Sequence, residues 1–330
     1  MLTAIIPIDL SQRAIDIITK TKKMLLAADA SNVNIIFGHN NRNTIYDKIF
    51  LKIIEKFEKC QVTSRDTGHD VVNTSKLRNE AFKKVISKHI ILLDIDIWPD
   101  FEILKKYSNN ILKGEQPFYI LPCLYLTKLG SHALIKEKLS IQELTNKYFN
   151  FSRKEFLHLA SPSSVTIMSS LDYIKLGGFD ENFSGHGYED FDFLIRLGIY
   201  HNKIEPTLDF LTNANCRSPL FCQGFKRQLG ELCIEALLSK DIVFHIYHEK
   251  FIESDYYKSR LNNQCYFQGK YKNFTTELTY KDPTLITTFL EFCKKRNIDI
   301  HNFSILFDNK PGHIDRFDTL KRRVNFLLQK

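Results

Sequence analysis

No stretch of this 330-residue chain approaches the ~20 consecutive apolar residues that a membrane span needs. The sequence therefore predicts membrane contact at the periphery only. The opening Met1-Leu2-Thr3-Ala4-Ile5-Ile6-Pro7-Ile8 is apolar, but it is shorter than a signal peptide and lacks the basic start of one. No block of lysine and arginine is interleaved with aromatics, which argues against a nucleic-acid partner. The seven cysteines, at 60, 123, 216, 222, 233, 265 and 293, are odd in number, and no pair has zinc-knuckle spacing. A reduced, cytosolic compartment fits that usage. Tryptophan occurs once, at Trp98.

A hydrophobic content of 43% with 25% charged residues is enough to build a core. The length suits one large domain, or one domain with an appendage. The net charge of +8 (46 minus 38) either favours an anionic membrane face or polyanionic glycan, or reflects only a lysine-rich proteome. Residues 2–8 read as a buried strand. Ser11 can cap a following helix with apolar positions Ile15, Ile18, Leu25 and Leu26. Val33 to Gly38 reads as a second strand, followed by a helix with Ile45, Ile49, Ile53 and Phe57. Strands alternating with helices predict an α/β fold with a parallel sheet, which binds ligands off the carboxyl ends of its strands.

Two motifs carry chemistry. His89 to Leu93 reads as a short buried strand, and Asp94 and Asp96 stand two apart at its end. On a strand, such residues face the same way. Two carboxylates there either form a hard-oxygen site for Mg²⁺ or Mn²⁺, or simply end an acidic strand. The second motif is Gly177-Gly178-Phe179-Asp180-Glu181-Asn182-Phe183-Ser184-Gly185-His186-Gly187-Tyr188-Glu189-Asp190-Phe191-Asp192-Phe193. Its glycines can let backbone come close to a ligand. Glu189 and Asp190 fall in the first turn of a helix, where acids are favoured as ordinary capping groups as well.

Taken together, these motifs, about ninety residues apart, resemble the nucleotide-sugar glycosyltransferases of the GT-A fold, in particular family 2 enzymes of bacterial capsule synthesis. The glycine-loop motif is similar to that of β-1,4-galactosyltransferases and chondroitin-type polymerases. One position departs: many relatives carry Trp where this chain has His186. The resemblance covers roughly residues 1 to 250. It implies a GT-A domain over 1–250, with a nucleotide-binding half at 1–100 and an acceptor half at 101–250. The mostly parallel central sheet would be flanked by helices, and 251–330 would form a partly helical C-terminal extension.

The resemblance also implies roles. The family places its uridine at the end of the first strand, hence Pro7 and Asp9, although Asp9 also reads as an acid near a helix start. A helix before the Asp-x-Asp strand lies beside the nucleotide, and Asn79 matches its polar amide. There Arg78 either holds a phosphate or sugar hydroxyls, or belongs to a solvated basic face, since Leu77, Ala81 and Val85 form the apolar side. Asp94 and Asp96 would hold Mn²⁺ or Mg²⁺, with His245, or alternatively His248, as a third ligand. Either histidine also fits a core position in the strand Ile242–His248. Trp98 either covers the donor or stacks on an acceptor sugar, or only packs. Gly185, His186, Gly187 and Glu189 would meet substrate, and Asp190 would be the catalytic base.

The implied reaction moves a sugar from a UDP-sugar to a hydroxyl of a glycan or lipid-linked glycan, in capsule or surface polysaccharide synthesis. In-line attack inverts the anomeric centre, although retaining relatives share a similar loop. The implied place is the cytoplasm, at the inner face of the membrane or in a polysaccharide-assembly complex. Two other classes stay open. A metal-dependent nucleotidyltransferase also uses paired acids, but no glycine-rich phosphate loop lies near residue 10. A non-catalytic glycan-binding subunit would have no need to keep Asp94, Asp96, Asp190 and His245 together. At the end of the chain, Phe317, Leu320, Val324 and Leu327 oppose Lys321, Arg322 and Arg323 as an amphipathic helix that docks on the core, dimerises, or lies on an anionic membrane.

Overall fold

A computed structural model describes residues 2–65, 71–250, 253–309 and 319–328. Along the chain run strand β1 (Leu2–Asp9), helix α1 (Ala14–Ala30), β2 (Asn34–Asn40), α2 (Ile45–Ile54), β3 (Cys60–Arg65), α3 (Thr74–Phe82), β4 (His89–Leu92), α4 (Phe101–Leu112) and β5 (Phe118–Ile120). Then follow β6 (Cys123–Leu126), α5 (Lys128–Ile135), α6 (Ile141–Phe149), β7 (Phe156–Ala160), β8 (Thr166–Ser169), α7 (Ser170–Lys175) and α8 (Glu189–Tyr200). The last stretch holds α9 (Gly224–Glu231), α10 (Ile234–Leu238), β9 (Val243–His245), α11 (Asp255–Lys258), α12 (Arg260–Tyr271), α13 (Ile286–Lys295) and α14 (Leu320–Leu328).

Compactness divides the chain differently from the expected 1–250 and 251–330. One unit is Met1–Tyr119 with Ser164–Lys203 and Lys250–Tyr271, and the other is Ile120–Ser163 with Ile204–Glu249 and Lys272–Lys330.

The first unit is built on a sheet in the order β3-β2-β1-β4-β8-β5. Strand β1 runs parallel to both β2 and β4, and only β8 is antiparallel to β4. The Val/Ile/Leu-rich strands β1 and β4 are buried almost throughout, as parallel strands covered on both faces must be. Helix α3 packs on β1 and β2. The approach is close: a Cβ added at Gly38 would meet the Leu77 carbonyl oxygen at 2.0 Å.

Helix phases match expectation in part, at Ile18, Leu25 and Ile53. In α1 the buried residues are Ile17, Ile18, Thr21, Met24, Leu25 and Ala28, while Ile15 and Leu26 are exposed. In α2, Phe50, Ile53 and Ile54 go inside, and Ile45 and Ile49 stay out. Ser11 does not cap α1. The residue before the helix is Arg13, at φ 55°, and the Ser11 hydroxyl turns to Asp9 instead.

The second unit holds a small sheet, β7-β6-β9, with β6 antiparallel to β7 and parallel to β9. Strands β5 and β6 are separated around Pro122, which has no N–H for a ladder. The helical stretches of this unit are short and come in consecutive pairs, α5 with α6 and α9 with α10. In α14, Leu320, Val324 and Leu327 are exposed, so the expected docking on the core does not occur over this stretch, and Phe317 lies outside the described residues. Among the described residues no helix is long and apolar enough to cross a membrane.

Candidate active site

The carboxyl edge of the sheet in the first unit gathers most of the expected residues. Pro7 pairs in register with Gly38, and Asp9 with Asn40. Pro7 lies beyond the stretch of β1 that pairs with β4, so its missing N–H costs nothing on that side. The Asp9 carboxylate accepts from the Ser11 backbone N–H at 2.9 Å, from Arg42 Nε at 2.9 Å, and from the amide of Asn40.

Strand β4 ends at Leu92, and Leu93 still donates its N–H to the Ile5 carbonyl at 3.1 Å. Asp94 and Asp96 then sit on a turn closed by Ile97 N–H to the Asp94 carbonyl at 3.0 Å. The same-side geometry of a strand is therefore lost, and each carboxylate takes different partners. Asp96 receives both terminal nitrogens of Arg13, at 3.1 and 3.0 Å, and Lys20 Nζ at 2.6 Å. Asp94 receives Arg78 Nη2 at 2.8 Å and the Ser164 hydroxyl at 3.0 Å.

Arg78 does not extend to solvent as part of a basic face. It is 2% exposed, and its Nη1 lies 3.1 Å from Asp190 Oδ1 while Nη2 holds Asp94. The guanidinium also stacks over Phe179, 4.8 Å from the ring centre. It is the counter-ion of two carboxylates, one from each sequence motif.

Glu189 and Asp190 open α8, preceded by buried Tyr188 in a left-handed conformation at φ 74°. A bulky side chain in that conformation is strained, and such strain collects at functional sites. Glu189 is 6% exposed, and its Oε2 meets no hydrogen-bond donor among the described residues. Burial, then the neighbouring Asp190, push the Glu189 carboxyl up, and Arg78 only partly offsets them. Burial also pushes Asp190 up, to about 6, against the pull of Arg78. The physical cause is common to both: Glu189, Asp190 and Asp94 face a single guanidinium, so their charges are undercompensated. A carboxyl poised near neutrality at the start of a helix is suited to proton transfer.

The glycine loop is held by the chain itself. Asn79, expected beside the nucleotide, has its whole amide engaged: Oδ1 accepts from Phe179 N–H at 2.9 Å and the Tyr173 hydroxyl at 2.7 Å, and Nδ2 donates to the Phe179 carbonyl and Glu181 Oε1, both at 2.9 Å. Gly185 and Gly187 sit at φ +74° and +93°. The sequence suggested a ligand close to them, but α11 and α12 make the close approach. A Cβ at Gly185 would meet Ser259 Cβ at 2.6 Å, and one at Gly187 would meet Arg260 Nη1 at 2.9 Å.

This α11–α12 segment escaped the sequence reading, as did Arg13, Lys20 and Ser164. His186 N–H donates to the Tyr256 carbonyl at 2.9 Å, and Asn263 Nδ2 donates to the Ser184 carbonyl at 3.0 Å. Lys270 bridges Asp180 and Asp192 at 2.8 and 2.7 Å, and the Tyr271 hydroxyl reaches Asp192 at 2.9 Å. Phe267 and Tyr271, buried four residues apart on α12, are the available sequence signal, and so short a pattern does not say where the segment docks.

Trp98 carries Lys23 Nζ 3.8 Å from its ring centre, a cation–π contact. The two histidines belong to the second unit. His245 ends β9, buried and stacked on Tyr125 with ring centres 4.1 Å apart. The strand stops there, so His248 lies beyond it, its ring 5.4 Å from that of His245.

The profile of the family described as glycosyltransferase-like family 2 matches residues 4–273. That span takes in α11 and α12, beyond the roughly 1–250 that the resemblance covers. The sheet flanked by helices is the GT-A arrangement expected of this family. Solved structures similar to the chain include S. aureus TarS 1–349, 14% identical, covering 59% of this chain and 54% of that one at a TM-score of 0.39. The catalytic domain of Drosophila β1,4-galactosyltransferase 7, in complex with xylobiose, is 14% identical over 59% of each chain, with a TM-score of 0.31. The mannosyltransferase PcManGT of Pyrobaculum calidifontis, in complex with GDP-Man and Mn²⁺, is 11% identical over 60% of this chain and 52% of that one, with a TM-score of 0.38. The matches thus span little more than half the length of these structures. No curated protein matches the chain significantly.

Proposed function

This chain belongs to the glycosyltransferase-like family 2, and on that premise we propose that it transfers a sugar from a UDP-sugar to a hydroxyl of a glycan acceptor. The observation that carries the reading is the Asp94–Arg78–Asp190 bridge, with contacts of 2.8 and 3.1 Å. It ties the acid at the sheet's carboxyl edge to the acid at the start of α8 within one unit.

In the proposed reaction the acceptor oxygen forms a bond to the anomeric carbon while the bond to the diphosphate breaks. The diphosphate leaves with the bonding pair, and the hydroxyl proton passes to Asp190. Attack from the face opposite the leaving group inverts the centre. Arg78 keeps Asp190 ionised enough to act as base and holds its carboxylate in place. Glu189, beside it, takes a sugar hydroxyl. Asp9, at the end of β1 with Pro7, faces the nucleoside.

The donor set at the sheet edge fits a divalent ion: Asp94 and Asp96 offer hard carboxylate oxygens, and both attract cationic side chains here. Mn²⁺ or Mg²⁺ held by these residues would neutralise the leaving diphosphate. His245, with His248 as the alternative, is carried as a further ligand on the resemblance. A role in capsule or surface polysaccharide synthesis, at the inner face of the membrane, belongs to the same proposal.

The test is hydrolysis and transfer with a panel of UDP-sugars, with and without Mn²⁺. The expected result is UDP release that stops with chelator and returns with metal, and that Asp96→Ala reduces. Release of pyrophosphate from a nucleoside triphosphate, or full activity of Asp96→Ala in chelator, overturns the reading.

A further inference from the structure

Arg260 begins α12 and is exposed. Its guanidinium lies against the loop that leads into Glu189 and Asp190: a Cβ at Gly187 would meet Nη1 at 2.9 Å and Cζ at 3.6 Å. The same group stands 5.4 Å from the Tyr188 ring centre. Its Nη1 is 3.3 Å from His186 Nε2, which accepts the hydrogen bond. The other arginines of this unit each meet a carboxylate: Arg13 with Asp96, Arg42 with Asp9, Arg65 with Glu80, Arg78 with Asp94, and Arg196 with Asp192. Among the described residues no carboxylate meets Arg260. Beside it, the rings of Tyr256 and Tyr257 lie 5.5 and 5.0 Å from that of His186, both half-buried.

Rings and a cation from α11 and α12, packed against a loop residue three positions before the base, make a surface for a sugar that carries negative charge. Tyrosine rings supply flat area for a sugar face. A guanidinium with donors still available matches a carboxylate or phosphate, and such charge-assisted bonds are the strong ones. The loop belongs to the acceptor side, because Asp190 acts on the acceptor hydroxyl. The geometry points to Arg260, held by His186, as the residue that binds an anionic group, carboxylate or phosphate, on the acceptor sugar. This rests on the glycosyl-transfer reading of the same loop.

The experiment uses the full chain and two matched acceptor pairs. One pair is an oligosaccharide ending in a uronic acid and its carboxyl methyl ester. The other is an oligosaccharide ending in a sugar phosphate and its dephosphorylated form. Binding is measured by calorimetry with UDP present, and transfer rates are measured alongside. At least one charged acceptor is expected to bind ~10- to 100-fold more tightly than its neutral partner. Arg260→Ala should remove that preference and leave the donor KM unchanged, while Arg260→Lys, a point charge without the fork, should keep part of it. Equal binding within both pairs, or a preference that survives in Arg260→Ala, overturns the assignment. A charge preference seen only between UDP-glucuronate and UDP-glucose as donors moves the anion to the donor and overturns it too. Failure of transfer with every donor while Arg260 still discriminates the acceptors would fault the transfer reading alone.

Discussion

Replacing Arg78 by Gln should produce a loss of stability that depends on pH. The parental guanidinium is 2% exposed and touches Asp94 and Asp190, whose side chains keep 37% and 32% of their surface open. Each contact is worth about 4 kcal/mol of gross attraction at an effective dielectric constant of about 20. Desolvation of the guanidinium cancels much of this, so the net value of the bridge is far smaller. Breaking a buried pair by removing one partner costs about 3–5 kcal/mol, because a charge stays behind unpaired. The solvent reaching both aspartates lowers that to about 2–3 kcal/mol at pH 8. At low pH Glu189 and Asp190 can take up protons instead.

The sign follows from proton counting. Arg78 lowers the pKa of both Glu189 and Asp190, so its removal raises them further above the unfolded values. The folded variant then binds protons that the unfolded chain has already released above about pH 4.5, and stability falls as pH rises through that window. The deficit relative to the parent should shrink to about 1 kcal/mol or less at pH 5. Urea unfolding of the two proteins at pH 5 and pH 8 measures it. A deficit of the same size at both values would refute the reasoning and leave Arg78 as packing over Phe179 alone.

Asp190→Asn should fold, bind donor, and lose about 10²–10⁴-fold in transfer rate, and a parental rate would move the base to Glu189. Because burial pushes Asp190 up to about 6, kcat/KM should rise with pH through that value as the carboxyl becomes basic, and a flat profile from pH 5 to 7.5 would exclude it. Asp192→Asn should destabilise by about 3 kcal/mol, because Asp192 is fully buried and receives Arg196, Lys270 and Tyr271. Thermal unfolding checks it, and an unchanged midpoint would show the network to be dispensable.

What the sequence made legible is local in character. The runs that became β1 and β4, the pair Asp94 and Asp96 beyond β4, and the acids at the start of α8 are each set by a few neighbouring residues. Helix phase was harder to read. In α1 and α2 the apolar residues are spread wide enough to support more than one face, and packing on the sheet buried Ile17 and Phe50 rather than Ile15 and Ile49. Arg78 follows Leu77 on α3, and a cation at the rim of an apolar face reads as solvated until two acids from elsewhere arrive to hold it.

The partners of the acids were illegible for a different reason. Arg13 meets Asp96 across 83 residues and Lys20 meets it across 76, and no periodicity reports an ion pair at that separation. The glycines show the same limit. Their positive φ and lack of a side chain say that something comes close, and a ligand is the natural guess near a catalytic acid. Here the close group is the chain's own Ser259 at Gly185 and Arg260 at Gly187. The segment that brings them is held by carbonyl contacts at Ser184, by Lys270 between two aspartates, and by Phe267 and Tyr271 buried four residues apart, and so short an apolar face does not say in the sequence where the helix docks. The loop that leads to the base is thus shaped by residues some seventy positions later, which is why a specificity residue such as Arg260 can lie outside the motif that identifies the chemistry.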